Sequence, residues 1–356
     1  MPLISLILLP FIGSLLAAVL PANARNTEST LAGIIALACA IQAALFFPEI
    51  ADGGVIRQEL TWLPALGLNF VVRMDGFAWI FSMLVLGIGS LVVLYARYYM
   101  SPADPVPRFF SFLLAFMGAM SGVVLSGNII QLVFFWELTS LFSFLLIGYW
   151  HHRQDARRGA RMALTVTGTG GLCMFAGMLI LGHIVGSYDL ENILAAGEQV
   201  RAHDLYTPML LLILLGTLTK SAQFPFHFWL PHAMAAPTPV SSYLHSATMV
   251  KAGVFLMARL WPVLSGTDQW FWLVGLWLAD DLKVCPLTVS PPSESLPAEV
   301  GAIPLTRAIR SSQFLNGPCL RASMMRVAVA GPMPLTSVSS ADVALLASTA
   351  ANASAV

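Results

Sequence analysis

The stretch LLLILLGTLTKSAQFPFHFWLPHAMAAPTPVSSYLHSATMVKAGVFLMARL, Leu210–Leu260, decides how the rest of the chain is read. It holds Lys220 and Lys251, two of the three lysines in the protein, each inside an apolar run long enough to cross a bilayer. A charged side chain at the centre of a spanning helix costs roughly 2.5–3.5 kcal/mol on insertion scales, so each lysine requires a polar partner or a hydrated cavity. Pro225 and Pro231 follow Lys220 closely and remove backbone hydrogen bonds for which lipid offers no substitute. A broken helix beside a buried cation marks a candidate ion path.

Composition agrees with a membrane setting. Of the 356 residues 57% are hydrophobic and only 10% charged, with a mean hydropathy of +0.78, whereas soluble domains carry about 25% charged residues. Eighteen basic residues balance eighteen acidic ones and form no polybasic arm, which argues against a nucleic-acid partner. Cys39, Cys173, Cys285 and Cys319 are too scattered for a metal site or a disulfide framework. Nothing in the sequence calls for a cofactor: GTGG at Gly168–Gly171 lies in an apolar helix with no preceding strand, so it reads as a helix-packing site rather than a phosphate cradle.

Span-length apolar windows predict helices at Leu3–Leu20, Leu31–Pro48, Phe77–Tyr95, Phe109–Leu125, Ile129–Gly148 and Ala163–Val185. A broken segment from Met209 to about Ala236 and a helix from Val240 to Leu260 follow, and a ninth helix starts near Trp270 and stops early. The first window lacks a basic leader and reads as a retained helix. Arginines set the orientation: Arg25, Arg97, Arg108, Arg153, Arg157, Arg158 and Arg161 fall on one side, and Arg57, Arg73 and Arg201 on the other. The positive-inside rule then places the segment HHRQDARRGAR in the cytoplasm and the N-terminus outside. The fold class is therefore all-α, a polytopic transmembrane helical bundle with a discontinuous helix. Residues 281–356, rich in Pro, Ser and Ala and without an apolar run, read as a disordered tail.

Glu137 is the carboxylate well inside a span, and beside a lysine its charged form would be favoured. It pairs naturally with Lys220 on a neighbouring helix, giving an electrostatic gate; the alternative is a static pair that fixes packing. His245 lies six residues before Lys251, which on one continuous helix turns the two to different sides, linked only through water. Histidine titrates near neutral pH and relays protons, yet a lone helical histidine is as often a packing residue. His227 and His232 flank the proline break and read as interfacial residues or as partners of backbone groups there, ahead of proton carriers.

FFWELTSLFSFLLIGYW, LTKSAQFPFHFWLPHAMAAPTPVSSYLHSATMVKAG and the arginine-rich segment between them resemble the antiporter-like subunits shared by Mrp-type multisubunit sodium/proton antiporters and the proton-pumping arm of respiratory complex I, most closely the large A subunit of the Mrp type. The resemblance covers residues 1–276. It implies three N-terminal helices in residues 1–108 and a five-helix repeat in residues 109–260, the first of two inverted repeats. It also implies proton transfer through Glu137, Lys220, Lys251 and His245, a bacterial inner-membrane location, partner subunits, and protons and sodium as the transported ions. Residues 261–280 read as an incomplete ninth helix. Beyond Leu276 the pattern is lost, as if the gene were read in another frame, leaving an N-terminal fragment with one half-channel. Other classes left open are a membrane component of an NADH:quinone oxidoreductase-type pump and a non-transporting structural subunit.

Overall fold

The computed structural model describes residues 2–20, 25–63, 68–101 and 104–274. Expectations for residues 281–356, and for the ninth helix beyond Val274, concern residues outside this set. The chain runs through α1 (Ser5–Val19), α2 (Arg25–Leu45), α3 (Phe47–Ala51), the strands β1 (Ile56–Leu63) and β2 (Leu68–Met74), α4 (Gly76–Tyr99), α5 (Val106–Leu125), α6 (Ile129–Ile147) and α7 (Gln154–Val185). It continues through α8 (Leu190–Ala195), α9 (Gly197–Arg201), α10 (Tyr206–Lys220), α11 (Trp229–Ala233), α12 (Thr238–Ser241), a π-helical turn (Ser242–Ala247), α13 (Lys251–Arg259) and α14 (Trp261–Leu264). Among the described residues five helices, α2 and α4 to α7, are long and apolar enough to cross a membrane; α1 and α10 are apolar but shorter, at 15 residues each.

Helix α5 is the axis of the bundle. It is buried over nearly its whole length and packs against α1, α2, α4 and α6. Lipid tails are as apolar as leucine, so these helices associate through close packing and internal hydrogen bonds rather than through escape from water. Small residues let the backbones approach: a methyl group built on Gly122 of α5 would stand 2.3 Å from the Phe135 ring of α6, and one on Gly216 of α10 would stand 2.8 Å from the Gly170 carbonyl of α7. The GTGG run is thus a packing surface, as expected.

Three features depart from the sequence-based reading. The strands β1 and β2 pair antiparallel with Ile56 opposite Met74 and Leu60 opposite Phe70, where only a loop was expected. Their pattern is too short and irregular to stand out beside the spanning windows. Helix α7 begins at Gln154 instead of Ala163, so most of the arginine-rich segment is its first two turns; hydropathy marks where a helix meets lipid, whereas the helix itself extends about 48 Å at 1.5 Å per residue. The eighth span is also interrupted. Between the π-helical turn and α13, Thr248 leaves the helical region at φ −127° and ψ −75°.

The loops sort into two ends. At one end the Leu3 amide donates to Gln58 Oε1 (2.6 Å), the Gly127 amide to the Val71 carbonyl (2.8 Å), and Arg57 bridges Asp189 and Glu191 at 2.7 and 2.6 Å. At the other, Trp150 Nε1 donates to Asp104 (3.3 Å) and Thr238 Oγ1 to the Tyr99 hydroxyl (3.1 Å). This is the alternation that successive spanning helices require.

A clasp at the first end joins α4 to α13. Asp75 caps α4 by accepting from the Ala78 amide (2.8 Å), and its carboxylate also takes both Arg259, Nη2 at 3.0 Å, and Arg73, Nη1 at 2.6 Å. The Arg259 guanidinium stands 5.3 Å from the ring centroids of both Phe77 and Phe255, which stack on each other. Burial alone would raise the Asp75 carboxyl, but the two guanidinium groups and the amide hold it below the usual carboxylate range. A lowered folded value means that the pair stabilises the fold above the ordinary carboxylate pKa and loses that contribution as pH falls toward the folded value. Asp75→Asn keeps a competent cap but removes the charge, and should cost about 3 kcal/mol at neutral pH. Thermal melts in detergent should show this deficit undiminished from pH 7 to pH 5; a deficit that vanishes by pH 5 would contradict the clasp.

Candidate functional site

The site is built where α10 ends. Lys220 is its last residue, and Ser221 and Ala222 turn the chain away, Ala222 at a positive φ of 50°. The chain then passes through a short 3-10 turn, Phe226–Phe228, into α11. Carbonyls released by the break are taken up internally: Trp229 Nε1 donates to the Thr219 carbonyl at 2.9 Å. The discontinuity expected after Lys220 is present.

Lys220 is fully buried. Its side chain crosses to α6, where Nζ donates to the Trp136 carbonyl (3.1 Å) and to Ser140 Oγ (2.7 Å) and lies 5.3 Å from the centroid of the Trp136 indole ring. Glu137 sits between these contacts in sequence but points elsewhere, into the small-residue face of α7. A methyl group on Gly171 would stand 1.6 Å from Glu137 Oε1, and Gly168 lies near Oε2. That Oε1 is buried without a hydrogen-bond partner, and among the described residues Glu137 forms no ion pair. The structure therefore brings the Lys220 side chain to the same two turns of α6 that carry Glu137, with neutral acceptors directly on the lysine.

Lys251 is the first residue of α13, at the second interruption, and is partly buried. The two interruptions touch. Ser221 Oγ donates to the Val250 carbonyl at 2.9 Å, and a methyl group on Gly253 would stand 2.6 Å from the Thr217 carbonyl and 2.1 Å from Ser221 Oγ. His245 lies in the π-helical turn, so no continuous helix joins it to Lys251, and the expectation drawn from 100° per residue does not apply. Its ring stands 6.0 Å from that of Trp229, close to the Ala233 backbone, with neither nitrogen in hydrogen-bonding geometry among the described residues. His227 and His232 are exposed, as an interfacial reading requires, and the His232 carbonyl packs on Gly159 of α7.

Sequence reasoning missed Ser140, the Trp136 carbonyl and Ser221. Ser140 lies three residues after Glu137, one turn along the same face, and that spacing was a usable signal. Among the described residues no cluster of three or more metal-ligating side chains occurs, and Cys39 and Cys173 are free thiols.

Apolar spans, alternating ends and two interrupted helices meeting beside a buried lysine define a multi-pass membrane protein of the discontinuous-helix type. Residues 126–279 match the model described as NADH:quinone oxidoreductase/Mrp antiporter, TM, and residues 62–110 match NADH-Ubiquinone oxidoreductase (complex I), chain 5 N-terminus. The A/B subunit of a probable K(+)/H(+) antiporter from Rhizobium meliloti is 66% identical over 270 residues, covering 76% of this chain and 27% of that protein. The A subunit of the Bacillus subtilis Na(+)/H(+) antiporter is 46% identical over 275 residues, covering 76% of this chain and 34% of that one. Among solved structures, one described as the Mrp complex from Dietzia sp. DQ12-45-1b is similar with a TM-score of 0.69 and 32% identity, covering 79% of this chain and 30% of that chain. Residues 62–110 and 126–279 are thus similar to the membrane subunits that Mrp antiporters share with NADH:quinone oxidoreductase. It spans about a third or less of the length of these relatives.

The contact between Gly171 and Glu137 can be tested without reference to activity. Gly171→Ala should cost about 1–3 kcal/mol by overpacking, and in a Glu137→Ala background, where the carboxylate is gone, the same change should cost less than about 0.5 kcal/mol. Equal costs in the two backgrounds, measured by thermal melts in detergent, would show that the carboxylate does not occupy that groove.

Proposed function

We propose that the chain is the proton-translocating part of a multisubunit monovalent cation/proton antiporter in the bacterial plasma membrane, with its N-terminus outside. The observation that carries this reading is Lys220, fully buried at a helix break and held by a carbonyl and a hydroxyl in place of a carboxylate. An ammonium held by neutral dipoles is sensitive to any charge brought near it, because little else in the apolar surroundings screens that charge.

In this mechanism Lys251 and His245 pass a proton toward the break, and its arrival changes the electrostatic balance between Lys220 and Glu137. Glu137 serves as the second acceptor, and its unpartnered Oε1 is what makes it available. Moving one elementary charge across the membrane is worth about 2.3 kcal/mol per 100 mV, so even a single shift couples to the membrane potential. The orientation is supported by the arginines gathered at one end of the bundle. Relatives named for potassium and for sodium both match this chain, so the cation is left as a monovalent one, with sodium the first to test. Partner subunits follow from the Mrp complex to which the structure is similar.

Inside-out vesicles from a host without its own sodium/proton exchangers provide the test. Adding sodium or potassium should collapse an imposed proton gradient, and Lys220→Ala should abolish the response while the protein remains in the membrane at wild-type level. Glu137→Gln should lower it at least about tenfold, as expected for loss of a group used in proton transfer. Wild-type flux in Lys220→Ala vesicles would overturn the mechanism. A gradient that forms only on adding NADH and ignores both cations would assign the chain to a redox-driven pump instead.

A further inference from the structure

A cavity of about 570 Å³ opens at the end of the bundle where α5 and α7 begin and α6 ends. Arg108 of α5 and Arg157 and Arg161 of α7 line it, with His151 beside them and Phe144 and Leu145 of α6 forming an apolar wall. Its size falls within the range of small-ligand pockets, about 300–1,000 Å³.

The arginines are placed against local electrostatics. Arg157 and Arg161 are four residues apart on one helix face, where like charges repel. The Arg161 Nε donates to the Arg157 carbonyl at 3.3 Å, which folds the Arg161 side chain back toward the start of α7. Arg108 and Arg157 stand in or next to the first turn of their helices, the positive end of the helix dipole, where an anion is favoured and a cation is not, and Arg161 follows one turn further along α7. Among the described residues none of the three forms an ion pair, and Arg108 lies over the Phe112 ring, 5.7 Å from its centroid. Among the described residues the carboxylates at this end do not line the cavity: Asp155 pairs with Arg153, Asp104 accepts from Trp150, and Glu28 is buried in the first turn of α2. Orientation by the positive-inside rule requires basic residues on this side, but it does not require three of them to converge on one cavity without a counter-charge.

From this convergence we infer that the cavity is a binding site for an anionic phospholipid, with the phosphate of its headgroup held by Arg108, Arg157 and Arg161 and an acyl chain laid along Phe144 and Leu145. Two helix N-termini and three guanidinium groups supply what a phosphodiester needs, directed donors and positive potential. The apolar wall distinguishes a lipid from free phosphate, which would gain nothing from it. Basic pockets between spanning helices are a general way for membrane proteins to hold such headgroups. The inference does not depend on the transport reading, since it requires only that these helices cross a bilayer.

The test is native mass spectrometry of the detergent-solubilised full chain titrated with dioleoyl phosphatidylglycerol or dioleoyl phosphatidylcholine. The phosphatidylglycerol adduct should be retained about tenfold better, as expected for several arginines near one headgroup. The triple variant R108K/R157K/R161K keeps the charge that sets topology and loses the planar fork that grips phosphate; it should reduce the preference at least threefold. The triple glutamine variant should abolish it. Equal retention of the two lipids, or a preference unchanged in the glutamine variant, would overturn the site. Loss of the phosphatidylglycerol adduct to millimolar inorganic phosphate would overturn the lipid assignment and leave a phosphate site, while a polypeptide that crosslinks to position 157 in membranes and excludes the lipid would show that another protein fills the cavity.

Discussion

Every backbone amide and carbonyl in the hydrocarbon region must be satisfied within the protein, and this constraint governs the heart of the structure. An unbroken helix meets it automatically. Two breaks do not, and the chain meets part of the requirement by bonds within the first break and from the first break to the second. Ser221, just past the end of α10, donates to the carbonyl of Val250, just before α13, while Trp229 closes onto the Thr219 carbonyl from the far side of the first break. Gly253 permits this contact by offering no side chain against Thr217 and Ser221. The lysines sit at the edges of this joint: Lys220 ends one helix and Lys251 begins the other.

The rest of the bundle holds that joint at fixed depth. α6 supplies the carbonyl and hydroxyl that receive Lys220, and α6 is located by α5, into which Phe135 fits at Gly122. α13 is tied at its other end by the Asp75–Arg259 clasp, whose aromatic sandwich covers the guanidinium. Tyr243, in the π-helical turn, donates its hydroxyl to the Val85 carbonyl of α4 at 2.9 Å. The interrupted eighth span is therefore fastened above and below its break, leaving the residues between as the part with the fewest helical hydrogen bonds.

Much of this was legible in the amino-acid sequence, and what was not has physical reasons. Hydropathy located the spans because lipid contact is a property of side chains alone. Proline revealed the first break because its ring removes a donor wherever it falls. The second break has no such marker: SSYLHSAT is compatible with a regular helix, and only the packing of Gly253 against the Ser221 turn makes the irregular path better satisfied. The start of α7 was hidden because Arg157, Arg158 and Arg161 lower hydropathy without disfavouring helix. Glu137 and Lys220 were identified as residues, since an ionisable group in an apolar span is conspicuous on its own. The contacts of Lys220 were harder to see: the Trp136 carbonyl carries no side-chain signal, and Ser140 had only its spacing from Glu137 to mark it.

The sharing of hydrogen bonds between the breaks has a mechanical consequence. Lys220 and Ser221 are adjacent, and so are Val250 and Lys251, so the bond from Ser221 to Val250 connects the two lysines through a path of two peptide units and one hydrogen bond. A backbone shift at Lys220 either carries Ser221 with it, and so acts on the start of α13, or is absorbed in the turn in which Ala222 already occupies the left-handed region. At its far end α13 is held by the Asp75 clasp. The joint formed by the two breaks therefore ties together the two backbone positions from which the lysines extend.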